Sequence, residues 1–465
     1  MVRSANSSQS AVPAGDTDYD SAGAEQHLSG LVERIVAEAK RQGADSAEAS
    51  ASSDRGLSVN VRAGDIETVE YTQERGFGVT VYRHTDDGVC KGSASTADDR
   101  DEAIVETVRA ACNIAKYTQP DPCSGLADKE LMPTEFPDLD LLHPWIPDVQ
   151  GAQTMALECE AAALEHDTRI KSSEGAGLNA HVGSRVYGNS HGFTAAGSGS
   201  RQSMSCMVIG QDNDGMQRDY WYTVARNAAD LEAAADVGRI AAERTVARLG
   251  SRPIATGRYP VVLAPNLAMG LIGNLMSGIG GAAQYRKSSF LLDSLGKTVA
   301  SPHITLREDP FLPRAMGSAA FDGDGVATRK QSFIADGVVA SYVMGTYSAR
   351  RLGLETTANS GGVHNLHVDG RTLPYADLLK EMGTGLLITE LMGQGVNLLT
   401  GDYSRGAAGF WVENGQPVHA VEEITVASTL QEMLTQVVAF GDDVDTRGNT
   451  RCGSLLIEQM TVAAS

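Results

Sequence analysis

Apolar residues first recur at helical spacing at Leu28, Leu31, Val32, Ile35, Val36 and Ala39, with Lys40 and Arg41 in the closing turn and Gly43 as a stop. The period then drops to two. AEASAS, GLSVNVRAGD, IETVEYTQE and FGVTVYRHTDDGVCKGSAS predict a strand followed by hairpins that turn at RAGD and TDDG. A second helical stripe runs through Ile104, Val105, Val108, Ala111, Cys112 and Ala115. Residues 27–117 thus read as a helix–meander–helix unit, preceded by a polar tail over 1–26 that is expected to be disordered.

Six prolines between Thr118 and Asp148 mark a connector over 118–148. Residues 149–250 predict an Ala-rich helix (GAQTMALECEAAALEHD), a run of strands, and a helix (DLEAAADVGRIAAERTVARLG) that stops at Gly250. Residues 251–465 open on the strand YPVVLAP and continue in strands, among them LLITELM, VNLLTGDY and GFWVENGQPVHAVEEITVAS. Asn414-Gly415 is the strongest hairpin signal in the chain. A helix over TLQEMLTQVVAF and a strand over GSLLIEQMTV finish it. The fold class is α+β, in three structured regions with a β-rich C-terminal one, and no internal repeat is legible.

One segment resists assignment by chemistry. LAMGLIGNLMSGIGG, Leu267 to Gly281, scans as a buried helix yet holds five glycines. Close packing against a neighbouring element at Gly270, Gly273 and Gly278 is the expected reason, with a flexible gate as the alternative.

Charge and composition exclude more than they assign. A net charge of −21 argues against a nucleic-acid backbone as partner. The six cysteines are scattered without a C-x-x-C pair, so a reducing, cytoplasmic compartment is expected. No apolar run reaches the length of a membrane span. Gly188-Asn189-Ser190-His191-Gly192 matches G-x-S-x-G but sits between strands, where a hairpin turn is the better reading. His364 and His367 lie three apart on a predicted strand, facing opposite ways, and do not make a chelating pair. Asp322 and Asp324 in FDGDG lack the distal carboxylate of a calcium loop and read as a turn.

The C-terminal third carries long, distinctive stretches: YSARRLGLETTANSGGVHNL, GTGLLITELMGQGVNLLTGDYSRGAAGFWVENG and DTRGNTRCGSLLIE. With QYRKSSFLLDSLGKTVAS and IETVEYTQERGFGVTVY upstream, the chain resembles the PmbA/TldE family over nearly everything after residue 26. That resemblance implies a non-catalytic subunit paired with a TldD-type chain, whose H-E-x-x-x-H motif and a later Cys hold zinc, the pair cleaving unfolded or leader peptides. It also implies that Leu267–Gly281 occupies the place of the zinc helix, with Ile272, Gly273 and Ser277 where His, Glu and His would stand, and Cys452 as an orphan of the remaining ligand. None of the three replacements is a zinc ligand, so no metal or cofactor is expected in this chain.

Substrate or interface contacts are expected within Gly383–Gly409, at Asp402 and Arg405 above all, then Glu390 and Gln394, because polar groups in an apolar hairpin must find partners. An ion pair between Asp402 and Arg405 is the competing structural reading. Two other functions stay open: a regulatory binding protein, which the family resemblance implies through its DNA gyrase modulator label, and a stand-alone hydrolase with an unrecognised nucleophile.

Overall fold

In the computed structural model, which describes residues 12–213 and 215–464, the N-terminal half is built on one six-stranded antiparallel sheet. Its elements are α1 (Ser21–Arg41), β1 (Ser46–Arg62), β2 (Asp65–Thr85), β3 (Gly88–Thr96), α2 (Asp101–Tyr117), α3 (Val149–His166), β4 (Ile170–Asn189), β5 (Thr194–Gln211), β6 (Met216–Ala225) and α4 (Ala234–Ala247). The spatial order is β3-β2-β1-β4-β5-β6. Helix, three-strand meander, helix therefore occurs twice, the halves meeting where β1 pairs antiparallel with β4 from Glu48↔Asn189 to Val61↔Ala176.

This corrects the expectation of no repeat. The repeat is one of topology, and its sequence trace is slight: both leading helices start D-x-x-G-A, with Asp20 accepting from Gly23 N at 2.8 Å and Asp148 from Gly151 N at 2.6 Å as caps. It also joins the regions expected at 27–117 and 149–250 into a single sheet. The tail expected over 1–26 is corrected in part, since α1 begins at Ser21 and Gly15–Asp16 pairs with Ile146–Pro147. Residues 1–11 of it lie outside the described residues.

All four long helices cover one face of this sheet. Ala47, Ala49 and Ala51 of β1 pack under α1 and α2, whereas Leu57, Val59 and Val61 of the same alternating row pack under α3 and α4. Glu160 of α3, 1% exposed, accepts from Ala63 N at 2.9 Å and Gly64 N at 2.8 Å, so it holds the left-handed turn between β1 and β2 from the helix layer.

The C-terminal half is a closed ring of five strands. Its elements are β7 (Gly257–Leu263), α5 (Pro265–Gly278), β8 (Thr305–Glu308), β9 (Gln331–Ala335), β10 (Leu366–Asp369), α6 (Tyr375–Met382), β11 (Gly385–Met392), β12 (Asp402–Glu413), β13 (Gln416–Thr429), β14 (Val437–Gly441) and β15 (Leu455–Ala464). The ring runs β7-β11-β12-β13-β15 and closes because β15 also pairs with β7. β14 adds to β15 outside the ring, and β8, β9 and β10 form a smaller antiparallel sheet beside it. α5 buries Ala268, Leu271, Ile272, Leu275 and Met276 in the largest core, shared with the ring and the smaller sheet; α6 packs against Val262, Leu387 and Val412 on the other side.

The hairpin expected at Asn414-Gly415 forms with both residues at positive φ. Two expectations fail locally. TLQEMLTQVVAF is helical only over Leu430–Thr435, because Val437–Gly441 finds an edge of β15. VNLLTGDY is a loop up to Gly401, held by left-handed Gly393 and Gly401 and by Asn397 Oδ1 accepting from Leu399 N at 2.9 Å. No helix among the described residues is long and apolar enough to cross a membrane.

The two halves are tied at β6 and the end of α4. The Arg447 guanidinium lies 4.2 Å from both the Trp221 and the Tyr222 ring centroids and donates to Tyr222 O at 2.8 Å.

Glu160→Ala should leave two buried N–H groups without acceptors at a tight turn. We expect it to lower unfolding stability by about 2–4 kcal/mol, read by denaturant titration, while an exposed control such as Glu158→Ala changes it little.

Candidate functional site

Pro265 starts α5 at its first turn, where a missing N–H costs nothing, and Leu271, Ile272 and Leu275 fix which side faces the core. The opposite side is the exposed row Asn266, Gly270, Gly273 and Ser277. A Cβ built on Gly270 or Gly273 would meet no atom within 4 Å. The packing reason expected for these two glycines is therefore corrected: they face open space. It holds at Gly278, where a Cβ would lie 2.7 Å from the Phe290 ring. Interior helical glycines cost stability of roughly 0.5–1 kcal/mol each relative to alanine, and nothing among the described residues makes use of the bare backbone at 270 and 273.

The positions matched to a zinc motif do not converge. Ile272 is fully buried, whereas Gly273 and Ser277 are exposed, and Ser277 Oγ donates back to Gly273 O at 2.8 Å. Cys452 is fully buried, its thiol pushed up to about 12 by burial, with Sγ donating to Gly453 O at 3.2 Å. No cluster of three His, Cys, Asp or Glu side chains among the described residues is arranged to hold a metal ion. A zinc ion does not fit this residue set.

Beside α5 stands the loop 393–401, fastened by Phe290 N donating to Leu398 O at 2.8 Å. Gly395 admits no side chain, since its Cβ would fall 1.6 Å from Ser404 O. The loop and its neighbours present Met392, Leu398, Leu399, Leu292 and Leu295 to solvent, Leu399 at 57%. Five large apolar side chains on two hydrogen-bonded segments are more than incidental exposure. Sequence periodicity gave no sign of them, because VNLLTG alternates like a strand.

The four polar candidates scatter. Glu390 pairs with Arg248 at the end of α4, and Arg248 lies 3.6 Å from Asp219, so Glu390 ties the two halves together. Asp402 is exposed and accepts from Thr400 Oγ1 at 2.6 Å. Arg405 donates to Leu391 O at 3.3 Å, and its buried Nε has no partner among the described residues. The ion pair between Asp402 and Arg405 does not form, because residues three apart on β12 face opposite sides. Gln394 is exposed in the loop 393–401.

The remaining motifs settle as turns or local contacts. Ser190 Oγ accepts from Ala47 N at 3.0 Å in the β4–β5 hairpin. His364 Nδ1 lies 3.3 Å from buried Glu308, apart from His367 on β10. Asp322 accepts from Asp324 N, Val326 N and Ser360 N; burial and then the Asp324 charge push its carboxyl up to about 6.

Three models of the PmbA/TldA metallopeptidase family match the chain: domain 1 over residues 47–115, the central domain over 142–249 and the C-terminal domain over 256–464. Metalloprotease PmbA of Escherichia coli O157:H7 is 46% identical over 419 residues, covering 90% of this chain and 92% of that protein. The PmbA homolog of Haemophilus influenzae is 44% identical, covering 95% and 97%. Among solved structures, a DNA gyrase modulator-like protein from Bacteroides thetaiotaomicron superposes with a TM-score of 0.86 at 26% identity, covering 94% of this chain and 98% of that one. TldE from Thermococcus kodakarensis shares the fold, with a TM-score of 0.80 at 20% identity over 93% and 100% of the two chains. Domain by domain and along nearly its whole length, the chain belongs to the PmbA/TldA metallopeptidase family.

Proposed function

We propose that this chain is the non-catalytic half of a TldD/TldE-type zinc protease pair, walling the peptide chamber and positioning an extended substrate against the partner's metal. The observation that carries this reading is the exposed face of α5. It holds Asn266, Gly270, Gly273 and Ser277 and no side chain that ligates zinc or moves a proton at neutral pH, yet its two glycines are kept bare at a cost in helix stability. A backbone left open on a rigid helix allows a close approach by something outside this chain. The apolar loop 393–401 next to it supplies surface that a protein or peptide would cover.

In this reading the chain's own residues bind and orient. The α5 backbone and Gln394 border the path of the peptide, and Leu398 and Leu399 shelter its apolar side chains or the partner's. Zinc, water activation and proton transfer belong to the TldD-type chain.

The test is reconstitution. With a TldD-type sibling from the same genome, we expect cleavage of an unfolded peptide that a zinc chelator abolishes, and no cleavage by this chain alone. Chelator-resistant cleavage by the isolated chain overturns the proposal in favour of a hydrolase; cleavage by neither preparation favours a regulatory binding protein. Gly273 offers a sharper probe. Gly273→Ala should raise unfolding stability by about 0.5–1 kcal/mol, because its Cβ enters open space. Gly273→Arg should leave the fold intact and lower the pair's peptidase rate about tenfold or more, the order that misplacing a substrate costs. An unchanged rate with Gly273→Arg would remove α5 from the peptide's path.

A further inference from the structure

The face of the N-terminal sheet turned away from its helices gathers three arginines at one place. Arg185 on β4 sits opposite Gly197 on β5, Gly183 opposite Gly199, and His181 opposite Arg201. Residues two apart on a strand share a face, so Gly197, Gly199 and Arg201 stand in one row, each about 7 Å from the next. Arg226, just past the end of β6, reaches back over the middle of that row. A Cβ built on Gly199 would lie 3.2 Å from Arg226 Nη1. The Arg226 guanidinium therefore stands between the strand positions of Arg185 and Arg201.

None of the three is neutralised from within the chain. Arg185 and Arg201 are exposed, and neither side chain forms an ion pair or a hydrogen bond among the described residues. Half-buried Arg226 donates only to carbonyls, Nη1 to Ser200 O at 3.1 Å and Nη2 to Met316 O at 3.0 Å, and its buried Nε has no partner among the described residues. Burial, then the charges of Arg201 and Arg185, push that guanidinium below its ordinary value, the mark of cations crowded without a counter-charge. Carboxylates are not scarce, at 59 Asp and Glu against 38 Lys and Arg. Other cations that contact or adjoin this sheet have theirs: Arg447 lies 2.7 Å from Asp445, Arg314 2.7 Å from Asp230, and His181 3.1 Å from Asp54. The carbonyl contacts give Arg226 a structural task. They leave Arg185 and Arg201 without one.

We propose that Arg185, Arg201 and Arg226 form a binding site for an oxyanion, a carboxylate or phosphate group, seated over Gly197. A Cβ on Gly197 would meet no atom within 4 Å, so the space above it is open and its floor is bare backbone. Guanidinium groups suit both ligand groups, because their parallel N–H donors match two oxygens at once. Arg226 is held in place by Ser200 O and Met316 O and supplies a fixed positive charge. Arg185 and Arg201 are free to close on the anion from either side. Asp54 bounds the site toward β1: its Oδ2 lies 2.8 Å from where a Cβ of Gly183 would stand, which confines an anion to the β5 side.

The proposal concerns the N-terminal sheet and does not rest on the protease reading. Calorimetric titration of the full chain with inorganic phosphate should show one saturable site per chain, weakened by added sodium chloride. Arg185→Gln and Arg201→Gln should each weaken it about tenfold, the scale of one charge-assisted hydrogen bond. Both side chains are exposed, so the melting temperature of the free chain should not change. Arg75→Gln, which removes an exposed arginine on β2, should leave binding as it was.

A second probe identifies the source of the oxyanion. An acetylated alanine peptide is titrated with a free C-terminus and again as its amide. Competition with phosphate by the free acid alone upholds the site and makes its group a peptide carboxylate. Phosphate binding that neither peptide displaces upholds the site and makes its group a free phosphate. A wild-type chain that binds neither phosphate nor the free-acid peptide overturns the proposal. So does binding that survives the combined Arg185→Gln and Arg201→Gln substitutions, or binding lost as much with Arg75→Gln as with Arg201→Gln.

Discussion

The antiparallel pairing of β1 with β4 is the constraint from which the rest of the N-terminal half follows. It sets Glu48 opposite Asn189 and keeps register for the whole of its length to Val61 opposite Ala176. Because the side-chain period of a strand is two, that single register commits Ala47, Ala49, Ala51, Leu57, Val59 and Val61 to one face. All four long helices must then lie on that face, in two pairs along the strands. The opposite face is free to be polar, and its Glu48 accepts hydrogen bonds from Tyr82 and Tyr187 at 2.7 and 2.8 Å. Burial raises the Glu48 carboxyl above its ordinary range, and the same burial raises both phenols.

The C-terminal half answers the same physical problem by closure. A sheet that pairs β15 with β7 has no free edge within the ring, so no strand end there needs a cover. Closure also puts α5 where only one of its sides can be buried. Ile272 and Leu275 anchor that side in the largest core, and Asn266, Gly270, Gly273 and Ser277 form the exposed row opposite. Two of the links between the halves are made by arginines, Arg447 against Trp221 and Tyr222 and Arg248 between Asp219 and Glu390, beside an apolar cluster of Met132 and Phe193 with Val326 and Ala358. Guanidinium groups suit this task, since their planar faces stack while their edges donate.

Much of this was legible along the chain. The stripe from Leu28 to Ala39, the alternation through GLSVNVR and the Asn414-Gly415 turn each rest on the geometry of a few consecutive residues, and each appears where that geometry puts it. That Ile272 and Gly273 carry neither a metal ligand nor a carboxylate was visible too, because it follows from residue identity alone. What misled was alternation without a partner. VNLLTG alternates like a strand, but left-handed Gly393 and Gly401 and the Asn397 turn hold it as an exposed loop. The duplication went unread because the two halves share a topology and a D-x-x-G-A helix start and little else.

By itself, the sequence determined which residues are apolar, at what period, and which side chains lack the chemistry for metal or proton transfer. These are properties of a residue or a turn of chain, independent of what packs against it. Only the tertiary structure decided what each face and edge meets: that Gly270 and Gly273 look onto open space, that Glu390 is tied to Arg248 and Asp402 does not meet Arg405, and that 194–201 meet the connector while no strand among the described residues pairs with the outer edge of 65–75. Such outcomes depend on contacts between segments tens to hundreds of residues apart, and no local period carries that information.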